Sequence, residues 1–143
     1  MGGDSWWQTG PYESDLAVAF RRAQEAELAS DDRGFPGRTI EELWRSADWA
    51  EFIFTGGTAT VLDQPHTVAA TEPEEGPYMR PLTEEEVRAW CPHGRPTRAE
   101  WRAALRADTS LDDLFPRRGL GRCTVLYEDG EPAEIGYWGV TAD

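Results

Sequence analysis

The chain has 143 residues and carries 27 acidic side chains against 14 basic ones, all of them arginine, for a formal charge of −13; that length fits one domain with a single core. A field of this sign opposes nucleic acid and anionic membrane. The absence of lysine removes Schiff-base and PLP chemistry, Ser-Lys hydrolysis, a Walker phosphate loop and lysine-dependent nuclease motifs.

From the N-terminus, residues 1–13 combine Trp6, Trp7, Pro11 and Tyr12 with turn residues and read as an aromatic segment that clasps the core. MGGDSWWQTG lacks the basic-then-apolar layout of a secretion signal, and no apolar run reaches the roughly twenty residues of a membrane span. The expectation is a cytoplasmic protein. A lysine- and asparagine-free, arginine-rich composition is that of a GC-rich, bacterial genome.

Ser14 reads as the N-cap of a first helix whose apolar positions, Leu16, Ala17, Ala19, Phe20, Ala23, Ala26 and Leu28, recur at spacings of three and four. Charges, glycines and Pro36 break it. Thr39 and Glu42 stand at the capping-box interval before a second helix that pauses around Ser46–Asp48 and ends before Gly56. Two β-prone runs follow, 58–62 and 66–70, with Asp63-Gln64-Pro65 as the turn between them, which predicts a second hairpin. The stretch 71–77, TEPEEGP, is an acidic surface loop. Thr83 with Glu86 and Thr97 with Glu100 announce two more capped helices, joined by a corner at 91–96, with Trp101, Ala104 and Leu105 facing inward. A further turn is expected over 108–115.

The clearest element is last. Residues 121–140, GRCTVLYEDGEPAEIGYWGV, set two β-branched and aromatic runs about Asp129-Gly130, whose positive φ suits a tight reversal. Alternation puts apolar groups on both faces of each strand, so the hairpin must be covered on both sides or nearly so. The fold class is therefore α+β: one domain over 1–143, with a small antiparallel sheet built on the C-terminal hairpin and about four helices packed against one face.

Chemistry-bearing residues are few. Cys91 and Cys123 read as reduced, with Cys123 buried. Cys91-Pro92-His93 leaves one residue between the two ligand types where zinc pairs normally leave two to four, and His66 and Cys123 stand alone, so neither a metal site nor a cofactor is expected. The same closeness argues against a Cys91/His93 nucleophile pair. Glu84, Glu85 and Glu86 occupy a helix first turn, and with Glu72, Glu74 and Glu75 of the loop they make the strongest local anionic patch. Trp44, Trp49, Trp90 and Trp101 read as core, while Trp138 with Trp6 or Trp7 could line an apolar contact face.

The expected function is that of a non-enzymatic, acidic protein-binding module, an inhibitor or immunity-type partner of a basic protein, acting as monomer or homodimer. Partner contacts fall on Glu72, Glu74, Glu75, Glu84, Glu85, Trp6, Trp7 and Trp138. Two alternatives stand beside it. One is a small-molecule-binding protein or carboxylate-dependent enzyme with a pocket between sheet and helices. The other is an accessory subunit or homodimer assembled through the hairpin edge.

Overall fold

The strands β3 (Gly121–Glu128) and β4 (Glu131–Val140) form the hairpin that the C-terminal pattern predicts, closed by Asp129 (φ 53°) and Gly130 (φ 80°). Positive φ at both central residues is the type I′ arrangement whose twist matches the flanking strands. The ladder shifts between Leu126 and Tyr127, where the partner is Pro132. Pro132 has no N–H to give the ladder, and the Tyr127 N–H donates to the carbonyl of Pro96 at 2.8 Å.

Around this hairpin the computed structural model, which describes residues 3–72, 76–107 and 114–143, builds a four-stranded sheet. The N-terminal segment contributes β1 (Ser5–Pro11), antiparallel to β4, and β2 (Met79–Pro81) pairs with β3 in parallel, giving the order β1-β4-β3-β2. Two expectations are corrected here. The aromatic segment is a ladder strand, not a clasp laid over the core. The sheet is mixed, not antiparallel, because the chain between β2 and β3 crosses over through helices α4 (Glu84–Trp90) and α5 (Arg98–Arg106), and such a crossover is what returns a strand in the same direction. Both hairpin strands are flanked: β4 by β1, and β3 by β2, by Leu82 and by Pro96. The open sheet edges therefore belong to β1 and β2.

The predicted second hairpin is a 3-10 turn at Val61–Asp63 followed by one parallel bridge, Thr67 to Met79. Its backbone groups are engaged elsewhere. The Asp63 carboxylate accepts from the N–H and hydroxyl of Thr58 (2.7 and 2.6 Å) and from the N–H of Ala59 (3.1 Å). The fully buried Gln24 amide donates to the carbonyls of Val61 and Gln64. This buried polar network holds residues 58–64 in a loop conformation, while His66 and Val68 bond through their backbone to Met79.

Helix α1 (Leu16–Ser30) carries the predicted apolar stripe, but its N-cap is Asp15 rather than Ser14, with the carboxylate accepting from Ala17 and Val18. The second helix does pause, as α2 (Ile40–Trp44) and α3 (Ala47–Thr55), with Ser46 capping the restart. All three predicted capping boxes form, at Thr39/Glu42, Thr83/Glu86 and Thr97/Glu100. The turn expected over 108–115 falls largely outside the described residues.

Side-chain alternation divides the sheet. One face presents Trp6, Met79, Cys123, Ile135 and Tyr137 to Ala19, Phe20 and Ala23 of α1. The opposite face presents Leu126 and Trp138 to Trp101 and Leu105 of α5, with Leu114 closing the end. Helices thus cover both faces, which corrects the one-sided packing and agrees with the two-sided apolar character of the hairpin. A satellite core, Ile40, Leu43, Trp49, Ile53 and Leu62, sits under α2 and α3. Among the described residues no helix is long and apolar enough to cross a membrane.

Candidate functional site

The three tryptophans expected on a contact face have different fates. Trp138 is fully buried, and its indole N–H donates to the carbonyl of Leu114 at 2.9 Å; Trp6 is 5 % exposed beneath α1. Both are core residues, because each strand position alternates its face and both faces are roofed. Trp7 remains 45 % exposed, edge-on to Trp101 at 5.8 Å and capped by the Arg102 guanidinium at 3.5 Å from its ring centre. Of the core tryptophans, Trp49 and Trp101 are fully buried, while Trp44 and Trp90 are partly so.

Among the acids, Glu72, Glu84 and Glu85 are exposed, whereas Glu74 and Glu75 lie outside the described residues. Glu84 pairs with Arg88 one turn along α4 at 3.0 Å. Glu86 makes two parallel bonds of 2.9 Å to Arg80 while closing the capping box with Thr83. The Arg80 guanidinium, reinforced by the Thr83 N–H, holds the Glu86 carboxyl below the usual glutamate range. His66 stacks on Tyr78 with ring centres 4.7 Å apart.

A different group is brought together by the α4–α5 corner. Cys91 is the C-cap of α4, and its carbonyl accepts the N–H of Gly94 at 2.8 Å; Gly94 itself sits at φ 79°, a left-handed conformation that glycine adopts without strain. This reversal folds His93 back over Cys91, with Nε2 at 3.3 Å from Sγ. The expectation that a Cys-x-His turn keeps sulfur and imidazole apart is thereby corrected. The same Nε2 lies 2.9 and 3.1 Å from the two carboxylate oxygens of Glu100, in the first turn of α5. Among the described residues this is the one group of three metal-ligating side chains whose donor atoms all fall within 4.8 Å of one another.

The electrostatics follow from these contacts. Burial first, then the Glu100 charge, push the Cys91 thiol above its ordinary value, opposed in smaller measure by the neighbouring backbone N–H groups. The Thr97 N–H first, then His93, hold the Glu100 carboxyl below the glutamate range. The Arg95 N–H donates to His93 Nδ1 at 3.2 Å, which places the neutral ring's proton on Nε2, facing Glu100. Sulfur and carboxylate therefore share one nitrogen. A nucleophile–base–orienter triad needs the carboxylate on the other nitrogen, so this arrangement does not activate Cys91 for attack. Nothing in the sequence marks Glu100 as a site residue: its place three residues after Thr97 is fully explained by helix capping. The second sulfur, Cys123, is in the core, where burial pushes its thiol up to about 12.

Two open grooves cross the described surface. One, ≈ 400 Å³, runs past His93 and Tyr127 over Leu82, Val87, Cys123 and Val125. The other, ≈ 670 Å³, lies between the C-terminal end of α1 and the start of α2, with Glu25, Asp31 and Asp32 around Leu28, Phe35 and Ile40. No family model, curated protein or solved structure matches the chain, so the reading of its surface rests on its own residues.

Proposed function

We propose that this protein is a non-enzymatic binding module that docks through its acidic surface on a basic protein. The supporting observation is how the two signs of charge are distributed. The arginines are largely engaged within the fold: Arg21, Arg22, Arg33, Arg80, Arg88 and Arg98 pair with carboxylates, and Arg38, Arg95 and Arg102 lie over aromatic rings. The exposed Glu25, Asp32, Asp48, Glu51, Glu72 and Glu85 carry no ion pair among the described residues. A net charge of −13 with most of its cations occupied leaves a field that attracts basic surfaces and speeds their encounter at low salt.

Two acidic surfaces can serve. The loop-and-α4 surface offers Glu72, Glu84 and Glu85, continuous in sequence with Glu74 and Glu75. The α1–α2 groove adds an apolar floor to its carboxylate rim, the combination of charge and burial that gives specificity as well as attraction. The experiment is affinity capture from the source cells at low and then moderate salt, with the wild type and two charge-reversed variants, Glu72→Arg/Glu85→Arg and Glu25→Arg/Asp32→Arg. A stoichiometric basic protein released by salt and lost in one variant supports the reading and locates the face. An empty column at low salt, or a bound protein indifferent to salt and to both variants, overturns it.

A further inference from the structure

We propose that Cys91, His93 and Glu100 form a three-ligand site for a divalent cation of the zinc class, with coordination positions left open to solvent. These three residues are shared with neither of the two acidic surfaces described above.

The donor set selects the ion. One sulfur, one imidazole and one carboxylate form a mixed soft, borderline and hard set, which suits Zn²⁺ and its analogue Co²⁺; Mg²⁺ and Ca²⁺ require shells made of oxygen. Three protein ligands with a free fourth position is the pattern of zinc sites that also hold water or a ligand. His93 and Glu100 are 53 % and 44 % exposed at their side chains, so solvent reaches the open positions.

The geometry is close to what such an ion needs. With metal–ligand bonds of about 2.0–2.3 Å in a tetrahedron, neighbouring donor atoms stand about 3.3–3.6 Å apart. The sulfur–Nε2 separation is 3.3 Å and the nearer carboxylate oxygen is 2.9 Å from Nε2. An ion therefore enters by moving the donors apart by a few tenths of an ångström along those edges, not by reorganising the fold. The scaffold holds each ligand independently. The Gly94 reversal fixes Cys91 and His93 on one turn, and the Thr97 N–H grips Glu100 Oε1 at 2.9 Å, which leaves Oε2 available.

Loading changes two protons. The Cys91 thiol releases its proton to solvent as the S–metal bond forms. The imidazole proton moves from Nε2 to Nδ1, because the metal takes the Nε2 lone pair, and the Arg95 N–H that now donates to Nδ1 must turn away. The amide resonance of Arg95 is thus a local reporter of the loaded state.

The test uses the full-length, reduced, metal-free chain titrated with Co²⁺ and then Zn²⁺. The expected result is one Co²⁺ per chain, with a thiolate-to-cobalt charge-transfer band and tetrahedral visible bands, bleached by Zn²⁺ but not by excess Mg²⁺. Cys91→Ser abolishes the charge-transfer band, and Cys123→Ser leaves it intact. His93→Gln and Glu100→Gln each weaken Zn²⁺ binding by at least about ten-fold. Glu100→Gln can keep the capping box, so far-UV circular dichroism of that variant stays native while the anionic ligand is lost. The amide of Arg95 shifts on Zn²⁺ addition in the wild type and not in Cys91→Ser. Absence of saturable binding up to about 1 mM metal overturns the proposal. So does a charge-transfer band that survives Cys91→Ser, or unchanged affinity in both His93→Gln and Glu100→Gln, since the ion would then sit on other carboxylates or on Cys123.

Discussion

Trp6 and Trp7 are neighbours in sequence on one strand, yet they meet opposite conditions, and the contrast between the two faces of the sheet follows from that single step of alternation. On the α1 face, Trp6 lies against Gly139, where an added Cβ would come within 2.9 Å of the indole, and is enclosed with Phe20 and Tyr137. On the α5 face, Trp101 and Trp138 are fully buried with ring centres 5.9 Å apart, while Trp7 on the edge strand β1 meets Trp101 edge-on at the rim of the stack. Both faces are roofed by helices, but the α5 face ends in an exposed ring, held by Arg102. Burial is thus set by what crosses each face, and identical side chains contribute unequally.

The comparison breaks first at Trp6. Replacing it with alanine is expected to cost about 3–5 kcal/mol, since the enclosed site cannot collapse, whereas Trp7→Ala is expected to cost about 1 kcal/mol through its edge contact and its cation–π partner. Equilibrium denaturation of both variants measures the difference; equal losses would mean the two faces are equally closed. A second probe acts on the α5 face from inside. Gly136 has its hypothetical Cβ 2.9 Å from the Trp101 ring, so Gly136→Ala is expected to destabilise by about 1–3 kcal/mol, with a change in near-ultraviolet circular dichroism from the displaced indole.

The smallest effect lies at the margin of the sheet, where Arg80 of β2 clamps Glu86. The folded carboxyl titrates below its unfolded value, so the pair's contribution is complete above the unfolded pKa and disappears as pH falls through the lower folded one. Glu86→Gln, which can retain the capping box, is expected to lose under about 1 kcal/mol at neutral pH because the pair is partly solvated. Its stability curve should converge on that of the wild type as the pH falls through the lowered folded-state value. Curves that stay parallel into acid would assign the loss to capping.

Local signals in this chain were legible where the chemistry is local. The capping boxes at Thr39, Thr83 and Thr97, the restart at Ser46 and the Asp129-Gly130 reversal each involve residues within a few positions of one another, and all of them form. The two-sided apolar pattern of the hairpin also announced that both faces are covered. The β-prone run 58–70 misled because the atoms that claim its backbone, on Gln24 and Asp63, are polar groups whose role depends on being buried together. Asp15 displaced Ser14 at the first helix because adjacent residues of similar capping strength differ only by which one the strand before it delivers to the cap.

The candidate cation site was the least legible. Its three residues were all visible, two as an isolated short pair and the third as a capping glutamate, but spacing rules describe ligands on familiar turns and carry no information about a reversal at Gly94 followed directly by a helix. By itself the sequence determined the fold class, the three capping boxes, the central hairpin and the sign of the surface charge, because these depend on residue type, period and charge. Only the tertiary structure decided that β2 runs parallel, that Trp6 is enclosed while Trp7 is not, and that Cys91, His93 and Glu100 converge. Each of those outcomes depends on which elements are brought side by side, and that is fixed by packing across the whole chain rather than by any window within it.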